Sequence, residues 1–408
     1  MKTYTLNHPT KGPIDYTDKK RYLWLSSIFY PLVPLVFIYY YLQSGNEAIL
    51  AVPLITGYVI FPLLDWAIGS DSSNPPEEIV PQLEEDKFYR LLTYATIPMH
   101  YIVLVACTWV VGTQSLSTIM VVVLAIVAGG ASGIGINTAH ELGHKNTTLE
   151  NWLAKITLAV PAYGHFCVEH NRGHHVRVST PEDFASSRLG ESIYAFAMRE
   201  IPGTAKRGWQ LERERLAKLG VSKWSIHNEI LQSYAISAVL QGSLVAYFGW
   251  ITLPFLLIHN FWAWFQLTSA NYIEHYGLLR EKKANGNYER CKPHHSWNAN
   301  YVLSNIVLFH LERHSDHHAY PARRYQSLRN FEDIPELPAG YFGMYLIAYF
   351  PWLWYKVMDK RVLGLSHIQG DLSKVNICPK KREQIMAKYG ELSDLMQRAL
   401  TSPSIPTK

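Results

Sequence analysis

Six apolar runs alternate with polar stretches along the chain, at 22–42, 48–68, 91–111, 117–136, 230–250 and 252–270. Each is about twenty residues, the length that carries a helix across a hydrocarbon core ~30 Å thick. The pattern predicts an all-α integral membrane protein with six transmembrane helices. The fifth run is the least apolar, because Gln232, Ser233, Gln241 and Ser243 interrupt it. Sidedness follows from Lys and Arg, which collect in cytoplasmic loops. Lys2, Lys11, Lys19, Lys20 and Arg21 precede the first run, whereas 43–47, 112–116 and the turn at Ile251 carry none. Both termini are therefore expected in the cytoplasm. No cleavable signal peptide is expected, since the first twenty residues are polar and the first apolar run is long enough to span.

Between and after these runs the chain is polar. Residues 69–90 read as a cytoplasmic loop, 151–168 as an interfacial helix broken at Pro161, and 176–223 as a charged region. There Glu212, Arg213, Glu214 and Arg215 suggest a solvated helix face. Residues 341–358, broken by Pro351, read as a helix against the membrane or the protein, and 370–408 as a polar, partly mobile tail. One membrane-embedded catalytic domain is expected, with cytoplasmic catalytic segments at 137–229 and 271–369.

The fourth run changes the picture most. A helix from 117 through 144 is ~42 Å long at 1.5 Å per residue, longer than the core it crosses. Even-numbered runs finish in the cytoplasm, which places His140 and His144 just beyond the hydrocarbon. The sixth run delivers His275 to the same boundary. Gly129, Gly130, Ala131, Ser132, Gly133 and Gly135 make the fourth helix narrow. Small residues allow close helix packing, and they would equally leave room for a slender apolar ligand; both readings stand. Gly133 and Gly57 are candidate positions along such a channel, where a bulky side chain would shorten the accepted substrate. Asp65, near the end of the second run, is costly in a membrane unless paired or hydrated.

Composition adds limits. Hydrophobic residues make up 48% of 408, and mean hydropathy is −0.05 because the linking segments are polar. The formal charge of +5 suits a cytoplasmic face beside an anionic leaflet. No nucleic-acid motif accompanies it, so nucleic acid is excluded as a partner. Four scattered cysteines without a Cys-x-x-Cys pair support neither a disulfide framework nor an iron–sulfur module.

The chemistry lies in the histidines, 18 in all. His140 and His144 stand at i, i+4; His170, His174 and His175 repeat that spacing with an adjacent imidazole; His314, His317 and His318 fall at i, i+3 and i+4. Such neighbours share a helix face and aim their nitrogens at one point. With His275 the imidazoles are too many for one zinc, which takes three protein ligands and an open position. They suit two metal ions, and imidazole fits iron, zinc and copper. Glu141, Glu169, Asp183, Glu274, Glu312 and Asp316 are candidate carboxylates for holding the rings through their second nitrogen. His100 and His310 are expected in packing or supporting roles. His259, His294 and His295, isolated or in a loop, and His8, His165, His227 and His367 are expected outside the metal centre. Two other classes compete. His140-Glu-Leu-Gly-His144 matches the zinc-protease His-Glu-x-x-His, with Glu141 as general base. A metal transporter would instead string its ionisable groups through the spans, whereas most of these gather at one end.

Asn137-Thr-Ala-His-Glu-Leu-Gly-His-Lys145, Glu169-His-Asn-Arg-Gly-His-His175, Asn271-Tyr-Ile-Glu-His-Tyr-Gly277 and Leu311-Glu-Arg-His-Ser-Asp-His-His318, followed by Arg323-Arg-Tyr-Gln-Ser-Leu-Arg-Asn-Phe331, resemble the bacterial integral-membrane alkane 1-monooxygenases. These belong to the larger group of membrane fatty-acid desaturases and xylene monooxygenases. The resemblance implies a non-haem di-iron enzyme of the bacterial inner membrane that uses O2 to hydroxylate the terminal carbon of linear medium-chain alkanes. Electrons would come from rubredoxin, reduced by a separate rubredoxin reductase. It also implies that His140, His144, His170, His174, His175, His275, His314, His317 and His318 bind the two irons. A related oxygenase acting on aromatic methyl groups or acyl chains shares the same boxes.

Overall fold

The computed structural model describes residues 1–401, excepting the side chains of 392–401. The chain opens on an antiparallel hairpin, β1 (Lys2–His8) and β2 (Gly12–Asp18), which the helical reading did not anticipate. Its inner face comes from alternating Tyr4, Leu6, Ile14 and Tyr16, packed with Ile79, Leu83 and Tyr89. Asp86 clamps it, pairing with Lys2 and Arg21 and accepting from the Tyr4 hydroxyl.

Among the described residues five helices are long and apolar enough to cross a membrane: α1 (Leu23–Ser44), α2 (Glu47–Ile68), α3 (Lys87–Thr113), α4 (Thr118–Gly143) and, beyond α5 (Thr148–Ala159) and α6 (Ile193–Lys218), α7 (Glu229–Phe248). The sixth expected span exists as a continuous helix, α8 (Thr252–His275), but its composition is too polar for the same description. Its polar side chains are satisfied inside the protein. His259 Nε2 meets the Ser132 hydroxyl at 2.8 Å, Asn260 and Gln241 exchange two hydrogen bonds of 2.9 Å, and Thr268 donates to Glu200 at 2.7 Å. A helix whose polar groups are paired within protein needs less apolar surface than one facing lipid.

α4 and α8 form the axis of the bundle. A Cβ on Gly129 would stand 2.7 Å from the His259 carbonyl, and one on Gly133 would stand 2.7 Å from Gln266 Cβ, so both glycines are places of close backbone approach. Asp65 is buried at the end of α2. It accepts from the amides of Leu303 and Ser304 and from the Ser304 hydroxyl, which meets the cost of placing an acid there.

After α8 come α9 (His314–Ala319), α10 (Tyr341–Ala348) and α11 (Pro351–Leu363), with Trp354 and Met358 buried. Residues 370–391 are held more tightly than a polar tail implies. Val375, Ile377, Ile385 and Tyr389 enter the core, and the last helix among the described residues is α12 (Arg382–Thr401); residues 402–408 lie outside the described residues. In the Glu212–Arg215 stretch Arg213 and Glu214 are exposed as expected, but Glu212 is buried between Arg172 and Arg215 and accepts the Glu229 amide.

Candidate metal centre

The histidines from four separate segments meet at one end of the bundle, in two adjacent sets. His140, His144, His170, His175 and His317 form one; His174, His275, His314 and His318 form the other, with the donor atoms of each set within 4.8 Å of one another. Local backbone explains the sorting. The segment His170–His174 is a π-helical turn. On an α-helix residues five apart point about 140° away from each other, whereas here His170 and His175 reach the same set, their Nε2 atoms 3.0 Å apart. His174 is turned into the other set. In α9 the i, i+4 pair His314 and His318 face each other at 2.9 Å, and His317, between them in sequence, crosses to the five-membered set, 2.9 Å from His140. The three boxes therefore do not each serve one point: two of them divide their rings between both sets.

These nitrogens oppose one another. His317 Nε2 lies 2.9 Å from His140 Nε2 and 3.1 Å from His175 Nε2, while His314 Nε2 lies 2.9 Å from His318 Nε2 and 3.3 Å from His275 Nε2. A neutral ring carries one N–H, so such triangles cannot all be hydrogen bonds. Donors around a tetrahedral ion at ~2.1 Å would sit ~3.4 Å apart, close to this spacing. Burial, then repulsion from neighbouring imidazoles, holds His170, His175, His314, His317 and His318 well below the usual histidine range. Neutral rings with converging lone pairs fit cationic metals.

The carboxylates divide by geometry. Asp183 Oδ2 is 2.8 Å from His174 Nδ1 and accepts from the Ser186 hydroxyl, while its Oδ1 accepts from Arg207 at 2.8 Å. Burial alone would raise its pKa, but His174 and Arg207 hold it below the usual carboxylate range. Glu169 acts through the same Arg207, with which it is paired. Glu274 Oε2 lies 3.2 Å from His314 Nε2, in the space the ring nitrogens share, and its Oε1 is buried without a partner. The others point elsewhere. Glu141 pairs with Lys145 at 3.0 Å and accepts from the Tyr325 amide, Asp316 binds Arg323 and the Arg329 amide, and Glu312 accepts the Tyr341 amide at 2.7 Å.

His310 takes a packing role, its Nδ1 meeting the Tyr325 carbonyl and its ring edge-on to Trp24. His100 is buried against Gly135, and His165 bonds Tyr234. Sequence reasoning missed Arg207 and Glu200 on α6. Burial pushes Glu200 up to about 7, and it accepts from Thr268 and Asn271, tying α6 to the end of α8. Their signal was present as a Glu and an Arg seven apart, two helical turns on one face.

A pair of adjoining cavities runs along α4 toward the histidine end of that helix, with no histidine in either lining. The outer cavity lies between α1, α2 and α4, lined by Tyr30, Pro34, Gly57 and Ile126; the inner cavity is lined by Gly133, Asn137, Leu308 and Leu311. Gly130, Ile134, Gln266 and Phe342 line both. Gly57 sits in a π-helical segment of α2, Thr56–Ile60, a distortion often found at functional sites.

The fatty acid desaturase family model matches residues 117–352. Alkane 1-monooxygenase 1 of Alcanivorax borkumensis is 50% identical over 96% of this chain and 97% of its own length. The alkane 1-monooxygenases of Pseudomonas putida and Ectopseudomonas oleovorans are each 51% identical, over 92% and 93% of this chain and 93% and 94% of theirs.

Proposed function

We propose, from the premise that this chain belongs to the alkane 1-monooxygenases of the membrane fatty acid desaturase family, that it hydroxylates the terminal carbon of linear medium-chain alkanes. It is a multi-pass membrane oxidoreductase. In the balanced reaction R–H, O2, two protons and two electrons give R–OH and water. The observation that carries this reading is the pair of imidazole sets, to which His140 and His314 belong, each three residues beyond a residue lining the inner cavity (Asn137 and Leu311).

The five-histidine set would hold one iron and the four-histidine set the other. Bound there, the pair supplies two-electron activation of O2, which an unactivated C–H bond requires because it offers nothing to an acid, base or nucleophile. The protein does the rest. The channel between α1, α2 and α4 takes a linear chain from the bilayer and excludes water from it. Leu308, Leu311 and Phe342 confine its inner end beside α9, so the terminal carbon arrives first. Asp183 fixes the tautomer and direction of His174. α8 serves as a sixth crossing, the termini and the centre face the cytoplasm of a bacterial inner membrane, and a soluble rubredoxin delivers the electrons there. Its docking on the Lys- and Arg-rich face should weaken with ionic strength.

The protease reading loses its general base, because Glu141 is engaged by Lys145 and Tyr325. The test is metal content per chain on detergent-purified protein, with Mössbauer spectroscopy and octane hydroxylation with rubredoxin. Two irons and 1-octanol are expected. One zinc with no iron would overturn the assignment.

A further inference from the structure

The loop between α8 and α9 holds a second group of metal-type donors, outside the nine-histidine centre. Glu289, His294 and His295 present a carboxylate oxygen and two ring nitrogens within 4.8 Å of one another. His367, from the turn after α11, brings its ring to 4.5 Å from that of His294, and its Nε2 is buried without a hydrogen-bond partner. His295 takes a supporting place. Its Nδ1 accepts the Lys292 amide at 3.0 Å, so its proton sits on Nε2, 3.3 Å from Glu289 Oε1.

We propose that Glu289, His294 and His367 form a third metal site, for a borderline divalent ion of the zinc class, with His295 orienting the carboxylate. Two imidazoles and a carboxylate are a zinc donor set that leaves a position for water. The carboxylate is paired at present with Lys292 Nζ, on a side chain that is 53% exposed, and the cation replaces that ammonium. Asp333 faces both His294 and His367, whereas Arg280, Lys292 and Lys374 oppose a cation. The site is therefore one of moderate affinity.

Its location gives it a role. The His295 carbonyl accepts from Ser179 at 2.6 Å and lies 3.5 Å from His275 Nδ1, and the Trp297 amide donates to the Glu274 carbonyl at 2.8 Å. A cation joining 289–294 to residue 367 staples this loop to the turn behind α11 and so holds the backbone that braces His275. The site is read from residues that take no part in the proposed oxidation, so either can fail alone.

The test is a titration of the purified iron-loaded enzyme with Zn2+ against a chromophoric zinc indicator, repeated with Co2+ to read ligand-field absorption. One zinc per chain is expected, together with slower tryptic cleavage of the loop at Lys282, Lys283 and Arg290. His294→Ala and His367→Ala, both at partly exposed positions, and Glu289→Gln should each weaken zinc by at least about 100-fold, the upper range for loss of a supporting partner, with iron content unchanged. Zinc binding by the variants equal to the parent, or none by the parent, would overturn the proposal. So would loss of iron from all three variants, which would make the cluster a brace alone.

Discussion

In the four-histidine set two rings are held from outside: Asp183 grips His174 at 2.8 Å and the His295 carbonyl stands behind His275, while His314 meets His318 and Glu274 through its inner nitrogen. The five-histidine set is bounded mainly by other rings. Phe166 stacks on His170 with centroids 5.0 Å apart, and His140, His144, His175 and His317 pack edge-to-face within 4.9 Å of their neighbours. One half of the centre is oriented by charge and hydrogen bonds, the other by packing and helix register. The two halves should therefore fail in different ways, and the proposed irons should be inequivalent.

Loss of a ligand is the largest effect expected. His144→Ala and His314→Ala should each reduce hydroxylation to background, and metal analysis should show one metal lost preferentially from the corresponding half. Equal loss of both metals from both variants would mean that the sets behave as one unit. Next comes Asp183→Asn, which should lower metal affinity or turnover by about 10–100-fold, whereas Phe166→Leu should cost about 1 kcal/mol of stability and little turnover. If the two variants lose activity equally, the contrast between charge-held and packing-held halves is wrong.

The glycines lining the two cavities allow a similar contrast. A Cβ on Gly130 meets nothing within 4 Å, and Gly57 is bounded only by the Tyr30 hydroxyl at 3.7 Å, whereas Gly133 abuts Gln266. Gly130→Leu and Gly57→Leu should shift products toward shorter alkanols at nearly normal stability. Gly133→Leu should instead cost about 1–3 kcal/mol by overpacking, read as a lowered thermal midpoint. An unchanged product profile in both Gly130→Leu and Gly57→Leu would remove those positions from the channel. The smallest effect is expected from Glu141→Gln. Turnover per metal pair should stay within tenfold, short of the ~10²–10⁴ lost with a general base, because this carboxylate is turned toward Lys145.

The legible parts of this chain were those governed by local rules. Apolar runs marked α1 to α4 and α7, and the fourth run continues as one helix to Gly143, with His140 in its last turn and His144 at its end. The sixth run was found in place as α8, but its polar residues could be valued only once their partners on α4, α6 and α7 were known. The N-terminal hairpin was readable too, in the alternation of Tyr4 with Leu6 and of Ile14 with Tyr16, and was overlooked against the stronger helical signal. Glu212 read as surface because a charge run in isolation has no other interpretation.

Spacing identified eight of the nine imidazoles as three groups, because their neighbours in sequence are neighbours on a turn, and the end of the sixth run added His275. It could not divide them five and four. That division depends on a π-turn at 170–174 and on how α4, α8 and α9 cross, which are properties of packing between segments far apart in the chain. The carboxylates follow the same logic. Asp183 and Glu141 are equally placed near a histidine in sequence, but which of them turns toward a ring depends on Arg207 and Lys145 competing for its oxygens, and only the tertiary structure brings Arg207 within reach.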